Sequence, residues 1–398
     1  MGTGALAGLK VIDISTIIAG GLASSMMADH GADVCKIEMP EAGDPARHMQ
    51  PFKQGVSLWH KVAGRNKAAL TLKLSDPRGA AILRKMVASA DILIENFRPG
   101  TLEKWGLGWE ALKQINPRLV MVRISGFGQD GPYAERPGFG TIAEAFAGLP
   151  ERTGFPGLPP LLSSFPMADS VAGLFATFSA MFAIYNRDHG TGQGQVVDIG
   201  LYEPLFRLLE DQMVLHDQLG LLVERMGNRS NQAAPRGVYP TSDGRWIALS
   251  AFSDRTVGRL LNVIGGEALA SDGRFVTNEL RIANVEALDA ILSEWTASKT
   301  EAEALRIFEG AGVVAGAIYD AARIASDPHY LHRENIVTVH DEGLGEVRVP
   351  GVVPKFQDTP GEVAFLTAPL GQHNRERYCG EFGISDAEFD RLVADGII

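Results

Sequence analysis

Cysteine is nearly absent: the 398 residues hold two, Cys35 and Cys379, far apart in the chain. No disulfide framework and no CxxC metal pair can be built from them, and a reducing cytoplasmic setting suits such a chain. Positive charge is also short, with 37 Lys and Arg against 48 Asp and Glu and a net charge of −11. A field of that sign repels nucleic-acid backbones, and no Lys/Arg run offers a local exception, so no nucleic-acid partner is expected. The nine histidines lack ligand spacing. His329 and His332 are three apart, but they follow Asp327-Pro328 in a loop or helix start and read as solvated, so no metal site is expected. Walker A, HExxH, EF-hand and GxSxG patterns are missing. Met1 to Gly8 lack the basic start and apolar run of a signal peptide. The most apolar long stretch, Val171–Tyr185, contains Ser, Thr and Gly and reads as too short to span a bilayer, so no membrane partner is expected. Asn228-Arg229-Ser230 fits a glycosylation sequon, which without export is a chance match.

What is present suits a folded α/β chain. Hydrophobic residues make up 45% and charged residues 21%. The length exceeds the roughly 250–300 residues at which one core stops growing, so two domains are expected. Strands read at Lys10–Ser15, Asp33–Glu38, Ala68–Leu74, Asp91–Glu95 and Leu119–Ile124, with helices over about 19–30 and from Asp76-Pro77 to about 90. That alternation predicts right-handed crossovers and a mostly parallel, Rossmann-like sheet, with ligands beyond the carboxyl ends of its strands. Residues 39–54, with Pro40, Gly43, Pro45 and Pro51, read as loop. A long apolar helix is expected from Met167 to about Arg187 and another over Leu201–Leu222. The polar segment Gly227–Pro240 reads as a loop at a domain boundary. The expected division is a large Rossmann-like domain over 1–225, a smaller α+β domain over 226–325, and a return segment over 326–398.

Gly126-Phe-Gly-Gln-Asp-Gly131 matches GxGxxG after a strand, but Pro132-Tyr-Ala-Glu-Arg-Pro137 follows where a dinucleotide fingerprint needs a helix. It reads as a mobile or ligand-facing glycine loop. Asp169, in Phe165-Pro-Met-Ala-Asp-Ser-Val-Ala-Gly173, stands at the mouth of the apolar helix. It is either an ordinary N-cap or a carboxylate presented in an apolar pocket, and the sequence alone leaves both open. Asn96-Phe-Arg-Pro-Gly100 is either a plain turn or an anion-facing loop, with Arg98 and Lys104 as phosphate partners.

Taken together, ordered motifs resemble the class III CoA-transferases. They include Leu9–Ser15, Ala28–Glu38 with Gly43-Asp44, Arg65-Asn-Lys67, Glu95–Gly100, Ser125–Pro132, Met167-Ala-Asp169, Gly190–Gln195, Gly237–Pro240, Ala311–Gly316 and Leu370–His373. The likeness runs through nearly the whole chain, to the group that holds formyl-CoA transferase and α-methylacyl-CoA racemase. It implies a homodimer of two interlocked subunits and a CoA thioester as substrate, with no tightly bound cofactor. It implies Asp169 as a nucleophile that passes through a mixed anhydride and an aspartyl-CoA thioester. CoA contacts carry over to Ile17, Ile18, the backbone and side chains of Leu72, Lys73, Leu74 and Ser75, and Asn96, Phe97 and Lys104, with Arg98 and Arg136 as further partners. Met39 stands where formyl-CoA transferase stacks an arginine on adenine, and that enzyme's oxalate-handling glycine triplet is missing. Racemase relatives use a histidine where Phe139 stands and a glutamate near Gly237; proton removal and return need both, so the transferase reading leads. A racemase or isomerase, and a CoA-binding protein without catalysis, are the alternatives.

Overall fold

Short aliphatic runs punctuated by glycine and proline build one sheet. The structure is a computed structural model and describes residues 4–398. Six strands, β1 (Lys10–Asp13), β2 (Asp33–Glu38), β3 (Ala68–Thr71), β4 (Ile92–Glu95), β5 (Val120–Ser125) and β6 (Val196–Gly200), pair all-parallel in the order β3-β2-β1-β4-β5-β6. Every residue of β4 and β5 is buried, as expected for strands covered on both faces.

Alternate strand residues feed two cores. Ile12, Ile37, Leu70, Leu93 and Met121 pack with Ile82, Leu83 and Met86 of helix α2 (Pro77–Val87). Val11, Val34, Ile94 and Val122 pack on the opposite face with helix α1 (Ala19–Asp29) and helix α4 (Met167–Asn186). Between them in sequence lies α3 (Gly140–Ala147). As expected, Asp76 caps α2, accepting from the Arg78 N–H, with Pro77 at the first position. Ala168, Ala172, Ala176 and Ala180, spaced four apart, form the buried stripe of α4. Side chains this small let α4 approach α1 closely: a Cβ on Gly173 would lie 2.7 Å from the Ala19 carbonyl oxygen.

The chain divides into two compact units, one of Met1–Pro150, Leu162–Leu221 and Pro328–Ile398 and one of Glu151–Leu161 with Leu222–Asp327. The tail belongs with the first: Tyr378, Phe389 and Ile397 join the α2-side core, and the Tyr378 hydroxyl donates to the Thr71 carbonyl at 3.0 Å. The second unit has an antiparallel sheet of Arg236–Pro240, Trp246–Ser250 and Ala315–Ala317, with helices Asp254–Ala270, Val285–Ala297 and Glu301–Gly310 around Leu249, Val257, Leu288 and Phe308.

Several expectations are corrected. Residues 227–240 are not all loop, because Arg236–Pro240 forms an edge strand; Gly237 and Pro240 hide that strand from propensity, and its partner Trp246–Ser250 imposes it. Residues 39–54 contain a 3-10 turn at Pro45–His48 and half of a short hairpin at Phe52–Lys53. The helix expected over 201–222 breaks at Leu209, whose ψ of 50° is not helical, into Glu203–Leu208 and Glu210–Leu219. Helix α3 lies hidden among the glycines and prolines of 137–166. The segment Glu151–Leu161 groups with the second unit, where the Gly227 N–H donates to the Gly154 carbonyl at 2.7 Å and Arg225 bonds Glu151. Finally, α4 and its continuation to Thr191 are long and apolar enough by length and composition to cross a bilayer, so the stretch is not too short for one. Its alanine stripe is nevertheless spent on α1 and the sheet.

Candidate active site

The strand order reverses between β1 and β4, which lie side by side, and the loops leaving their carboxyl ends meet there. Asn96, after β4, grips the loop after β1 from both sides: its Oδ1 accepts the Thr16 N–H at 2.7 Å and its Nδ2 donates to the Thr16 carbonyl at 2.8 Å. Ile17 has a φ of 65°, a conformation that a β-branched residue adopts only under constraint. Asp44 supplies a constraint, accepting the Ile17 N–H at 3.0 and 3.2 Å.

Beneath this loop lies a buried ionic cluster. Asp13 accepts from the Ser15 hydroxyl at 2.6 Å and the Ser24 hydroxyl at 2.5 Å, and lies 3.4 Å from both Lys36 and Lys67. Burial opposes the charge on Asp13, but the two ammonium groups and two hydroxyls overcome it and hold the carboxyl below the usual carboxylate range. Burial pulls Lys67 down to about 8 in spite of Asp13.

Across the loop, Asp169 occupies the third position of α4 and is not its N-cap; Pro166 holds that place and offers no side-chain bond. The plain capping reading is therefore set aside. The carboxylate lies against Gly140, the first residue of α3: a Cβ there would stand 2.0 Å from Asp169 Oδ2, so any larger residue would push the carboxylate from this position. Asp169 is half-buried. Burial pushes its carboxyl up to about 6, its own backbone N–H holds it down, and the neighbouring Glu144 carboxylate adds to the rise. The first turn of α4 gives partial positive charge to the ionised form.

These groups surround a cavity of about 470 Å³, lined among others by Ile17, Ile18, Asn96, Ser125, Glu144 and Asp169. The lining holds two carboxylates and no lysine or arginine. Such a wall neutralises no anion, but it keeps a carboxylate poorly solvated and unpaired, the condition under which a weak nucleophile becomes competent. Ser125, at the end of β5, is 6% exposed, and its hydroxyl has no partner among the described residues. An unpartnered buried hydroxyl is costly and marks a place for a ligand atom or water.

The sequence-derived candidates separate into two groups. The cavity brings together Asp169, Ile17, Ile18 and Asn96. The others lie outside its lining. Leu72 and Leu74 pack their side chains into the α2-side core, while Lys73 and Ser75 of that run are exposed. Phe97 packs edge-on to Trp105 with ring centroids 5.3 Å apart. Lys73, Arg98 and Lys104 are exposed and make no salt bridge among the described residues, and exposed Arg136 stacks 3.6 Å from the Tyr133 ring. Met39 is exposed. The sequence reading names Phe139 and Gly140 as pocket residues, and both line the cavity; it missed Glu144 and Ser125 and gave Asp44 no role. Helical spacing from Gly140 puts Glu144 one turn on along the same face, a signal available only once α3 is recognised. Among the described residues no group of three or more His, Cys, Asp or Glu side chains is arranged to hold a metal.

Comparison with known proteins identifies the family. The family described as CoA-transferase family III matches residues 6–374. A succinyl-CoA–D-citramalate CoA-transferase of Chloroflexus aurantiacus is 41% identical over 98% of this chain and 97% of its own length. A formyl-CoA:oxalate CoA-transferase of Streptomyces avermitilis is 31% identical, with both chains fully covered. A crystal structure of a CAIB/BAIF family protein from Brucella suis superposes with a TM-score of 0.85 at 32% identity, covering 95% of this chain and 99% of that one. With an α/β fold shared with the Brucella protein and CoA-transferase relatives along nearly its whole length, this chain belongs to CoA-transferase family III and is a CoA-transferase.

Proposed function

We propose that the enzyme moves CoA from an acyl-CoA to a free carboxylic acid with Asp169 as the covalent carrier. An Asp169 oxygen attacks the thioester carbonyl, the C–S bond breaks, and CoA leaves as thiolate from a mixed anhydride. The thiolate then attacks the aspartyl carbonyl, releasing the first acid as carboxylate and leaving an aspartyl-CoA thioester. The acceptor carboxylate attacks that thioester, forming a second anhydride and freeing the thiolate once more. Thiolate attack on the new acyl group gives the product thioester and restores the Asp169 carboxylate. No proton is gained or lost, which suits a cavity without a histidine in its lining. The backbone N–H groups of the uncapped first turn of α3, beginning at Gly140 beside the carboxylate, are the donors for the oxyanion. The observation that carries this reading is Asp169 itself, held against Gly140 in a cavity without cations and pushed up to about 6.

CoA is a free substrate, and no tightly bound cofactor is required. Lys73, Arg98, Lys104 and Arg136 are the cations for its phosphates. The donor we favour is a short dicarboxylic thioester such as succinyl-CoA, with a hydroxy-dicarboxylic acid as acceptor, on the strength of the Chloroflexus relative's name. The second carboxylate of such an acyl group finds no cation in the lining described above, so it must point out of the cavity mouth. A homodimer of interlocked subunits is the proposed assembly. The face of α4 opposite its alanine stripe carries Leu174, Phe178, Phe182 and Tyr185 uncovered, and an apolar helix of this kind calls for a second protein surface. That cover would also keep α4 from any bilayer, and we place the enzyme in the cytoplasm. Incubation with paired acyl-CoAs and acids, with mass detection of new thioesters, tests the activity. A hydroxylamine-sensitive adduct on Asp169 tests the carrier. Turnover that leaves Asp169 unmodified sinks the covalent scheme.

A further inference from the structure

The loop Ser15–Ile18 runs between the buried ionic cluster and the Asp169 cavity, and it is pinned at three successive residues. Lys36 Nζ donates to the Ser15 carbonyl, Asn96 brackets the Thr16 peptide, and Asp44 takes the Ile17 N–H with both oxygens. Asp44 is 4% exposed, yet it is held on every side. Lys36 lies 3.2 Å from its Oδ2, the Ala46 N–H donates to its Oδ1 at 2.8 Å, and its own N–H donates to Glu38 Oε2 at 2.7 Å. Glu38 is fixed in turn by Arg47, whose Nε donates at 2.6 Å. The effort converges on one residue with a left-handed backbone. For isoleucine that conformation is strained, and it persists only where the surroundings over-determine it.

We propose that Asp44 is a positioning residue for CoA transfer: its buried carboxylate holds Ile17 left-handed and so sets the wall against which the acyl-CoA is aligned with Asp169. The proposal rests on the Asp169 reading above. Without Asp44 the Ile17 peptide relaxes toward an ordinary negative φ, turning Ile17 and Ile18 relative to the cavity. A reacting group misplaced by about 1 Å loses on the order of 10²-fold in rate. Binding of the CoA phosphates, on exposed cations outside the cavity lining, is left intact.

The substitution Ile17→Gly supplies the test, because glycine adopts this φ without strain. The readout is the rate at which saturating succinyl-CoA labels Asp169, followed by mass spectrometry, with KM measured alongside. Asp44→Ala is expected to slow labelling by tens of fold with KM within about threefold. In the Ile17→Gly background the same Asp44→Ala change is expected to cost less than about threefold, whatever Ile17→Gly does alone. Asp44→Asn, which keeps size and one acceptor, is carried through both backgrounds and decides the question if the alanine variant does not fold. Equal losses in the wild-type and Ile17→Gly backgrounds, or a wild-type labelling rate in Asp44→Asn and Asp44→Ala, overturn the proposal. A wild-type enzyme that turns over without labelled Asp169 overturns instead the reading beneath it.

Discussion

Asp13 and Asp169 lie on opposite sides of one four-residue loop, and burial acts on them with opposite results. Asp13 is fully buried and meets two lysines and two hydroxyls; its charge is secured and its proton is lost readily. Asp169 is less buried, meets no cation, and has Glu144 as its charged neighbour; its proton is held up to about 6. Burial alone therefore does not decide what a carboxylate does. The partners buried with it do. One arrangement secures the charge, the other leaves it without a cationic partner, and Ile17, with its positive φ, belongs to the loop between them.

The largest expected break in this comparison is Asp169→Ala, which should lower kcat for CoA transfer by at least about 10³-fold while leaving the fold intact. Activity within tenfold of wild type in a thioester-exchange assay would remove Asp169 from the chemistry. Asp13→Ala should do the reverse: it strands Lys36 and Lys67 without their anion and should cost about 3–5 kcal/mol in denaturant unfolding at pH 7. A loss below about 1 kcal/mol would show that the lysines find other partners or shed their protons.

Acid should separate the pair further. Asp169 is raised in the folded chain from 3.8 to about 6, so between those values the native state binds more protons than the unfolded one. Its contribution to stability is then greatest below the unfolded value and falls as pH rises through about 6, while the nucleophilic carboxylate, and with it kcat/KM, rises over the same window. Asp169→Asn should accordingly be about 1–2 kcal/mol more stable than wild type at pH 7, after discounting for partial exposure, and no more stable near pH 4. Asp13, held below the ordinary range, should contribute stability above its unfolded value near 3.8 that is lost only in stronger acid. A transfer rate that stays flat from pH 5 to 8 would contradict the raised carboxyl. The smallest effect is expected at Ser125. Ser125→Ala should slow transfer by about tenfold or less, while thermal stability holds or rises because an unpartnered hydroxyl is gone. Lower stability with unchanged turnover would make that hydroxyl structural.

Much of the scaffold was legible in the chain itself. Parallel strands buried on both faces need near-continuous apolar runs, and Ile92-Leu-Ile94 and Val120-Met-Val122 supply them; Asp76-Pro77 marks its helix by capping chemistry alone. Elements specified by their neighbours were not legible. Arg236–Pro240 is a strand because Trp246–Ser250 pairs with it, and Gly140–Ala147 is a helix within a glycine- and proline-rich stretch. The site divides in the same way. Asp169 could be singled out by its motif, but its two readings, cap or presented nucleophile, differ in geometry that sequence spacing does not contain.

The sequence by itself determined the α/β alternation, the apolar helix that opens around Asp169 and the ordered motifs that resemble one family, because periodicity, caps and glycines are local properties. Only the tertiary structure decided that Gly140 leaves room for that carboxylate, that Asp44 reaches Ile17 across 27 positions, and that Asp13 rather than Asp169 receives the lysines. A carboxylate's character is set by which charges and dipoles lie within a few ångströms, and those come from distant parts of the chain.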